Sequence, residues 1–63
     1  MELVQLFEVK PRSKVRLHVP DQDGDIVMHD LFFDHIDGMY SYCIDEYGNV
    51  VHPAAWTMVE VLS

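Results

Sequence analysis

Apolar and polar residues alternate with a period of two along most of this chain. From Ser13 to Val19, the aliphatic residues Val15, Leu17 and Val19 interleave with Lys14, Arg16 and His18. Successive side chains of a strand point to opposite faces, so the pattern predicts a strand with its aliphatic residues inward and its cations outward. Pro20 closes it. Leu3 to Val9 also alternates, Leu3, Gln5, Phe7 and Val9 against Val4, Leu6 and Glu8. A short helix using Leu3, Leu6 and Phe7 is the alternative, but Pro11 would end it almost at once, which favours the strand.

Ile26 to Asp37 is a long β-like run with a bend expected near His29-Asp30. Asp37-Gly38 then suits the positive φ angles of a type I′ hairpin turn. With Ile36 and Met39 flanking that turn, Phe33 would lie opposite Tyr42 and Phe32 opposite Cys43. Glu46-Tyr47-Gly48 reads as a three-residue hairpin loop with Gly48 left-handed, bringing Ile44 to Val50 and Tyr42 to His52. Asp21-Gln22-Asp23-Gly24-Asp25 is a polar turn, Pro53 to Trp56 a single 3₁₀ turn, and Thr57 to Leu62 a last strand.

The pairing sorts the meander into two faces. Leu31, Phe33, His35, Tyr40, Tyr42, Ile44, Val50 and His52 form one. Phe32, Asp34, Ile36, Met39, Ser41, Cys43 and Val51 form the other, which is expected to line the core.

At 63 residues the chain is a single domain, residues 1–63, with a shallow core: a domain of this size buries only about 60% of its unfolded surface. Cys43 is the only cysteine, so no disulfide framework compensates. A lone thiol, without an apolar leader pattern after Met1, fits a reducing cytoplasmic setting, the host cytoplasm if a phage encodes the chain. No apolar run approaches the roughly 20 residues that span a bilayer.

Charge changes the picture more than composition does. All four Lys and Arg residues, Lys10, Arg12, Lys14 and Arg16, occupy alternate positions, and nothing after Leu17 is basic except histidine. Nine carboxylates follow, from Asp21 to Glu60, and the formal net charge is −7. If residues 10–16 run straight, the cations form one ladder, continued by His18, on an otherwise acidic exterior. That balance disfavours nucleic acid and anionic membrane as partners and favours a basic protein surface.

Val51-His52-Pro53-Ala54-Ala55-Trp56, followed by Met58-Val59-Glu60-Val61-Leu62, resembles the Pro-x-x-aromatic turn and closing strand of SH3 domains. The resemblance implies an all-β, five-stranded SH3-like barrel with a single 3₁₀ turn before the last strand. It also implies that Pro53 and Trp56 line a peptide groove, although Leu3 to Val9 lacks the Ala-Leu-Tyr-Asp-Tyr pattern of that family. In size and acidity the chain further resembles small accessory proteins of bacteriophages, many of which inhibit a host protein.

Several candidate sites follow from the residues themselves. The ladder Lys10, Arg12, Lys14 and Arg16 would pair with carboxylates such as Asp30, Asp34 or Glu8 and guard a sheet edge. Binding an acidic protein patch or a phosphate backbone are its further readings. The Asp21–Asp25 stretch opens like a calcium loop, but Ile26 and Phe32 stand where glycine and glutamate are required. His18, His29, His35, His52 and Cys43 lack zinc-type spacing. His29-Asp30 and Asp34-His35 are sequence neighbours and should point to opposite faces, which removes them as acid–base pairs. Cys43 is expected to pack inertly against Phe32 and Val51. The aromatics Phe33, Tyr40, Tyr42, Tyr47 and Trp56 are the interface candidates, with the core of a small barrel the equal alternative for Phe33 and Trp56.

The expected function is therefore a non-enzymatic protein-binding module without cofactor or metal. It would act as a small inhibitor that occupies a basic, nucleic-acid-binding site on a host protein. Asp21, Asp23, Asp25, Asp30, Asp34, Asp37, Asp45 and Glu46 would imitate phosphates, a form of DNA mimicry. A self-associating subunit, such as a homodimer, is the second reading, and a nucleic-acid binder using the ladder the third. A domain this small offers little room for a water-excluding catalytic pocket.

Overall fold

The computed structural model describes residues 2–63. They form an all-β, antiparallel sheet of six strands: β1 (Val4–Gln5), β2 (Ser13–Pro20), β3 (Ile26–Asp37), β4 (Tyr40–Ile44), β5 (Val50–Val51) and β6 (Met58–Val61). The spatial order is β1-β6-β2-β3-β4-β5, so the last strand lies between the first two. The expected five-stranded closed barrel is corrected to six strands in an open sheet whose edges are β1 and β5.

The one 3₁₀ helix among the described residues is Leu6–Glu8, where a strand was expected. Leu6 N–H donates to the Thr57 carbonyl and Phe7 N–H to the Ala55 carbonyl, at 2.9 and 3.0 Å. These bonds turn the chain so that Leu6 enters the core while Phe7 stays outside. Pro53–Trp56 is not 3₁₀: Ala54 makes an isolated bridge to Tyr40, and Thr57 N–H closes a turn on the Ala54 carbonyl at 2.9 Å.

Two hairpin loops share one design. Asp21 and Asp45 each accept, through Oδ1, the N–H groups two and four residues ahead: Asp23 and Asp25 in one loop, Tyr47 and Asn49 in the other. Each loop then passes through a left-handed glycine, Gly24 at φ 85° and Gly48 at φ 83°, the pattern of a three-residue hairpin loop with a glycine bulge. The acidic stretch that opens like a calcium loop is thus a hairpin turn. Ile44 pairs with Val50 as expected.

The β3–β4 register differs from expectation. The turn centres on Gly38-Met39 rather than Asp37-Gly38, with Asp37 opposite Tyr40 and Ile36 opposite Ser41. Gly38 has φ 64° and Met39 is not left-handed, as in a type II′ turn, which places glycine first. A bulge at Asp34 absorbs one residue, so that Phe33 faces Cys43 and Phe32 faces Ile44. The bulge exchanges faces midway along β3. Leu31 and Phe33 point inward before it and Ile36 after it, while β4 buries Ser41 and Cys43. The expected core face therefore holds for β4, Ile36 and Val51, fails at Met39, which the turn leaves exposed, and is reversed for Leu31 to Phe33.

Leu6, Val9, Val15, Leu31, Phe33, Cys43 and Val59 form the core, with Val4, Leu17, Ile36 and Val51 packed around it. Burying an aliphatic or aromatic side chain contributes about 1.5–3 kcal/mol, so few large groups supply most of the stability. Buried Ser41 donates from Oγ to the Pro53 carbonyl at 2.7 Å, which satisfies its hydroxyl inside the apolar interior. No helix among the described residues is long and apolar enough to cross a membrane.

Candidate binding surface

The cationic ladder is broken before it begins. Lys10 and Arg12 precede β2 in a bend, and Arg12 takes the left-handed φ of 62°. Its N–H donates to the Asp34 carbonyl at 3.3 Å, and Ser13 Oγ donates to the Lys10 carbonyl at 2.7 Å. Only Lys14, Arg16 and His18 share a strand face, where carboxylates meet the last two and Lys14 lies opposite Phe32. Arg16 Nε lies 2.7 Å from Asp30 Oδ1, its direct cross-strand partner, and His18 Nε2 lies 3.2 Å from Glu60 Oε1. The Arg16 guanidinium holds the Asp30 carboxyl below the ordinary carboxylate range. The outer face of β2 and β3 is therefore mixed in charge, and the bipolar exterior built on a straight residue 10–16 segment is corrected accordingly.

The carboxylates divide into engaged and free. Asp21 and Asp45 are occupied by their own loops, and the Asn49 and Tyr47 amides hold Asp45 below its usual range. Asp34 accepts from His35 Nδ1 at 2.6 Å, a pairing that strand alternation forbids and the bulge permits. Asp23, Asp25, Asp37 and Glu46 are exposed, and their side chains make no ion pair among the described residues.

The aromatics take three places. Tyr47 projects from the β4–β5 loop with 89% of its surface exposed. Tyr42 is half-buried between two imidazoles, stacked on His35 at 5.3 Å between centroids and edge-on to His52 at 5.6 Å. His52 Nδ1 donates to the Ser41 carbonyl at 3.0 Å, since a carbonyl can only accept. Tyr40 and Trp56 lie exposed at one end of the sheet, with Phe7 and Met39. Backbone bonds from Ala55 N–H to the Met39 carbonyl and from Phe7 N–H to the Ala55 carbonyl hold these segments side by side. Asp37, Tyr40 and His52 line a shallow concavity of about 390 Å³ there.

A larger concavity, about 530 Å³, opens at the other end of β4, lined by Lys14, Asp30, Leu31, Phe32, Ile44, Asp45 and Glu46. It exists because β3 outruns its neighbour. β3 pairs with β2 from Ile26 to Phe33, but with β4 only from Phe32 onward. The β2–β3 hairpin therefore projects as an arm, with Val19, Ile26, Val27 and Met28 exposed. Sequence reasoning missed Phe7, Met39 and this arm. One signal was available: Ile26-Val27-Met28 is apolar at consecutive positions, as expected of a segment with no single buried face.

Cys43 lies in the core opposite Phe33 and Val51 rather than against Phe32. Burial pushes its thiol pKa up. Among the described residues no three His, Cys, Asp or Glu side chains are grouped to hold a metal ion. Comparison with protein-family models, with curated proteins and with solved structures finds no significant match to this chain.

Proposed function

We propose that this chain is a non-enzymatic protein-binding module, built on an SH3-like plan, that docks on a basic surface of another protein. The observation that carries this reading is the set of uncompensated carboxylates, Asp23, Asp25, Asp37 and Glu46, on a chain of net charge −7. Tyr47 follows Glu46 in its loop and Tyr40 lies opposite Asp37, with Trp56 exposed as well, and such side chains bury large area at small entropic cost. The fitting partner is a nucleic-acid-binding protein whose phosphate-contacting surface these carboxylates occupy, the mode of action of a small phage-type inhibitor. The reading rests on the free carboxylates and needs no cationic ladder. The SH3-like plan is supported by the closing strand beside the first strand, the tight turns at Gly38 and Gly48, and the Pro53–Trp56 turn before β6.

Affinity capture from host lysate at low and raised salt tests the proposal, because steering by charge is screened by salt. The expected partner has a basic surface, elutes as salt rises, is displaced by duplex DNA, and is lost to an Asp23→Lys/Asp25→Lys/Glu46→Lys variant. A partner retained regardless of salt, or one with an acidic binding surface, refutes it.

Self-association is the second reading, favoured by the exposed end patch of Phe7, Met39, Tyr40 and Trp56. A single monomeric species by sedimentation at high micromolar concentration removes it.

A further inference from the structure

Ladder geometry decides which backbone groups of the arm are free. Asp21 N–H donates to the Asp25 carbonyl at 2.7 Å. Pairs further along an antiparallel hairpin then alternate between non-bonded and bonded. Pro20↔Ile26, His18↔Met28 and Arg16↔Asp30 are the non-bonded pairs; Val19↔Val27 and Leu17↔His29 are the bonded ones. Pro20, which has no N–H, fits this phase. The N–H and C=O groups of Ile26, Met28 and Asp30 therefore point away from β2, toward the side that β4 leaves empty beyond Phe32.

This edge lacks the usual protection. Native sheets blunt their edges with Lys, Pro or a covering loop, and Ile26-Val27-Met28-His29-Asp30 contains neither residue. The short unpaired edge at the other side of the arm, His18 to Pro20, does end in a proline. Where β4 stops, the notch is lined by Asp30, Asp45 and Glu46, with Lys14 as its one cation and Leu31, Phe32 and Ile44 as its apolar part. Asp30 is paired with Arg16 and Asp45 with its own loop, which leaves Glu46 as the free carboxylate. Tyr47 stands on the same loop as Glu46.

We infer that the open edge of β3 takes an extended strand of a partner protein, collinear with β4 and bearing Lys or Arg at alternate positions. This rests on the reading of a basic partner and names the place and the backbone mode of its docking. Three outward N–H groups and their carbonyls, on Ile26, Met28 and Asp30, supply pairing without sequence preference. Side chains supply selectivity: a strand laid here sets alternate residues beside Met28 and Asp30, and Asp30 lines the notch together with Glu46. A second copy of this chain fits less well, because each copy carries net charge −7 and would bring no Lys or Arg to the notch along its own β3 edge.

The test titrates ¹⁵N-labelled protein with two peptides of equal charge, acetyl-(Lys-Val)₄-amide and its analogue N-methylated at every lysine amide. The lysines are the residues set beside Met28 and Asp30, so the analogue lacks the N–H groups that would pair with β3. The expected result is binding of the unmodified peptide, with shifts and slowed exchange at the Ile26, Met28 and Asp30 amides, and at least about tenfold weaker binding of the N-methylated peptide. Met28→Pro deletes an outward N–H without loss of a ladder bond, a position where proline is tolerated. It should lower affinity about tenfold while the remaining amide spectrum stays folded, and Ile26→Pro provides the same test if Met28→Pro does not fold. Glu46→Lys should weaken binding several-fold. Equal binding of both peptides, or unchanged affinity in the folded proline variant, overturns the edge and leaves the acidic-surface reading standing. Binding of neither peptide at low salt overturns both. Shifts at Ile26 and Met28 that depend on protein concentration alone assign the edge to a second copy and overturn the basic occupant.

Discussion

Phe33 and Cys43 face each other across β3 and β4 inside the core, yet one pair further along His35 and Tyr42 face each other outside it. In an unbroken ladder the next inward position on β3 after Phe33 would be His35. The bulged Asp34 shifts the phase so that Ile36 points inward instead, opposite Ser41. One extra residue thus keeps a histidine out of the apolar interior.

That arrangement makes Phe33 and Phe32 unequal despite adjacency. Phe33 is 1% exposed and Phe32 37%. Phe33→Ala should cost about 3–5 kcal/mol, as core phenylalanine truncations do. The whole stability expected of a domain this size is roughly 3–9 kcal/mol, so the variant should be largely unfolded at 37 °C. Phe32→Ala should cost about 1 kcal/mol and remain folded. Chemical denaturation of both variants checks the contrast, and equal losses would contradict the assigned faces.

The left-handed positions provide a second test. A Cβ at Gly48 would meet nothing within 4 Å, so Gly48→Ala should act through backbone strain alone, costing about 1–2 kcal/mol. Gly48→Asn should cost less, because asparagine tolerates this conformation. Arg12 is already at φ 62°. Arg12→Gly should relieve strain of about 1–2 kcal/mol against an entropic loss of about 0.5–1 kcal/mol. The net result is a protein more stable by up to about 1 kcal/mol, read as a raised denaturation midpoint.

Cys43 is fully buried and burial raises its pKa, so the thiol is neutral and shielded at pH 7. Labelling by iodoacetamide or a disulfide reagent should follow the opening of the core. The rate should rise with denaturant in parallel with unfolding, and in Ser41→Ala, which also removes the hydroxyl bonded to the Pro53 carbonyl. Rapid stoichiometric labelling of the folded protein would show that Cys43 is not in the core.

Acid should weaken the fold through Asp45 and Asp30. Both carboxyls titrate below their ordinary values, Asp45 chiefly through the Asn49 amide and Asp30 chiefly through Arg16. A carboxyl whose folded pKa is depressed stabilises fully above its unfolded pKa, near 4, and loses that contribution as pH falls through the folded value. Stability should therefore fall below about pH 4. Asp45→Asn keeps an amide-accepting oxygen without the charge, so its acid limb should be shallower than that of the wild type. Parallel limbs in the two proteins would count against the role assigned to Asp45.

Much of this was legible along the chain. Period-two alternation from Ser13 to Val19 marked β2 to within a residue, and Glu46-Tyr47-Gly48 marked its loop and the Ile44–Val50 register, because turn chemistry is local. The Leu6–Glu8 turn was not legible, since its defining bonds come from Ala55 and Thr57, far away in sequence. The bulge at Asp34 was equally hidden, as no local rule marks which residue of a continuous β-run a neighbouring strand will skip. Free and engaged carboxylates look alike in a sequence; only the position of Arg16, His18, His35 and the loop amides separates them.

By itself, then, the order of residues determined the β class, the glycine-bearing hairpin turns to within a residue and the acidity of the chain, all of which depend on alternation, glycine placement and charge count. Tertiary structure alone decided which face of β3 is buried, where the four cations go and how far β3 runs past β4. Those outcomes depend on pairing between segments distant in the chain, where one skipped residue or one left-handed Arg12 redirects every side chain that follows.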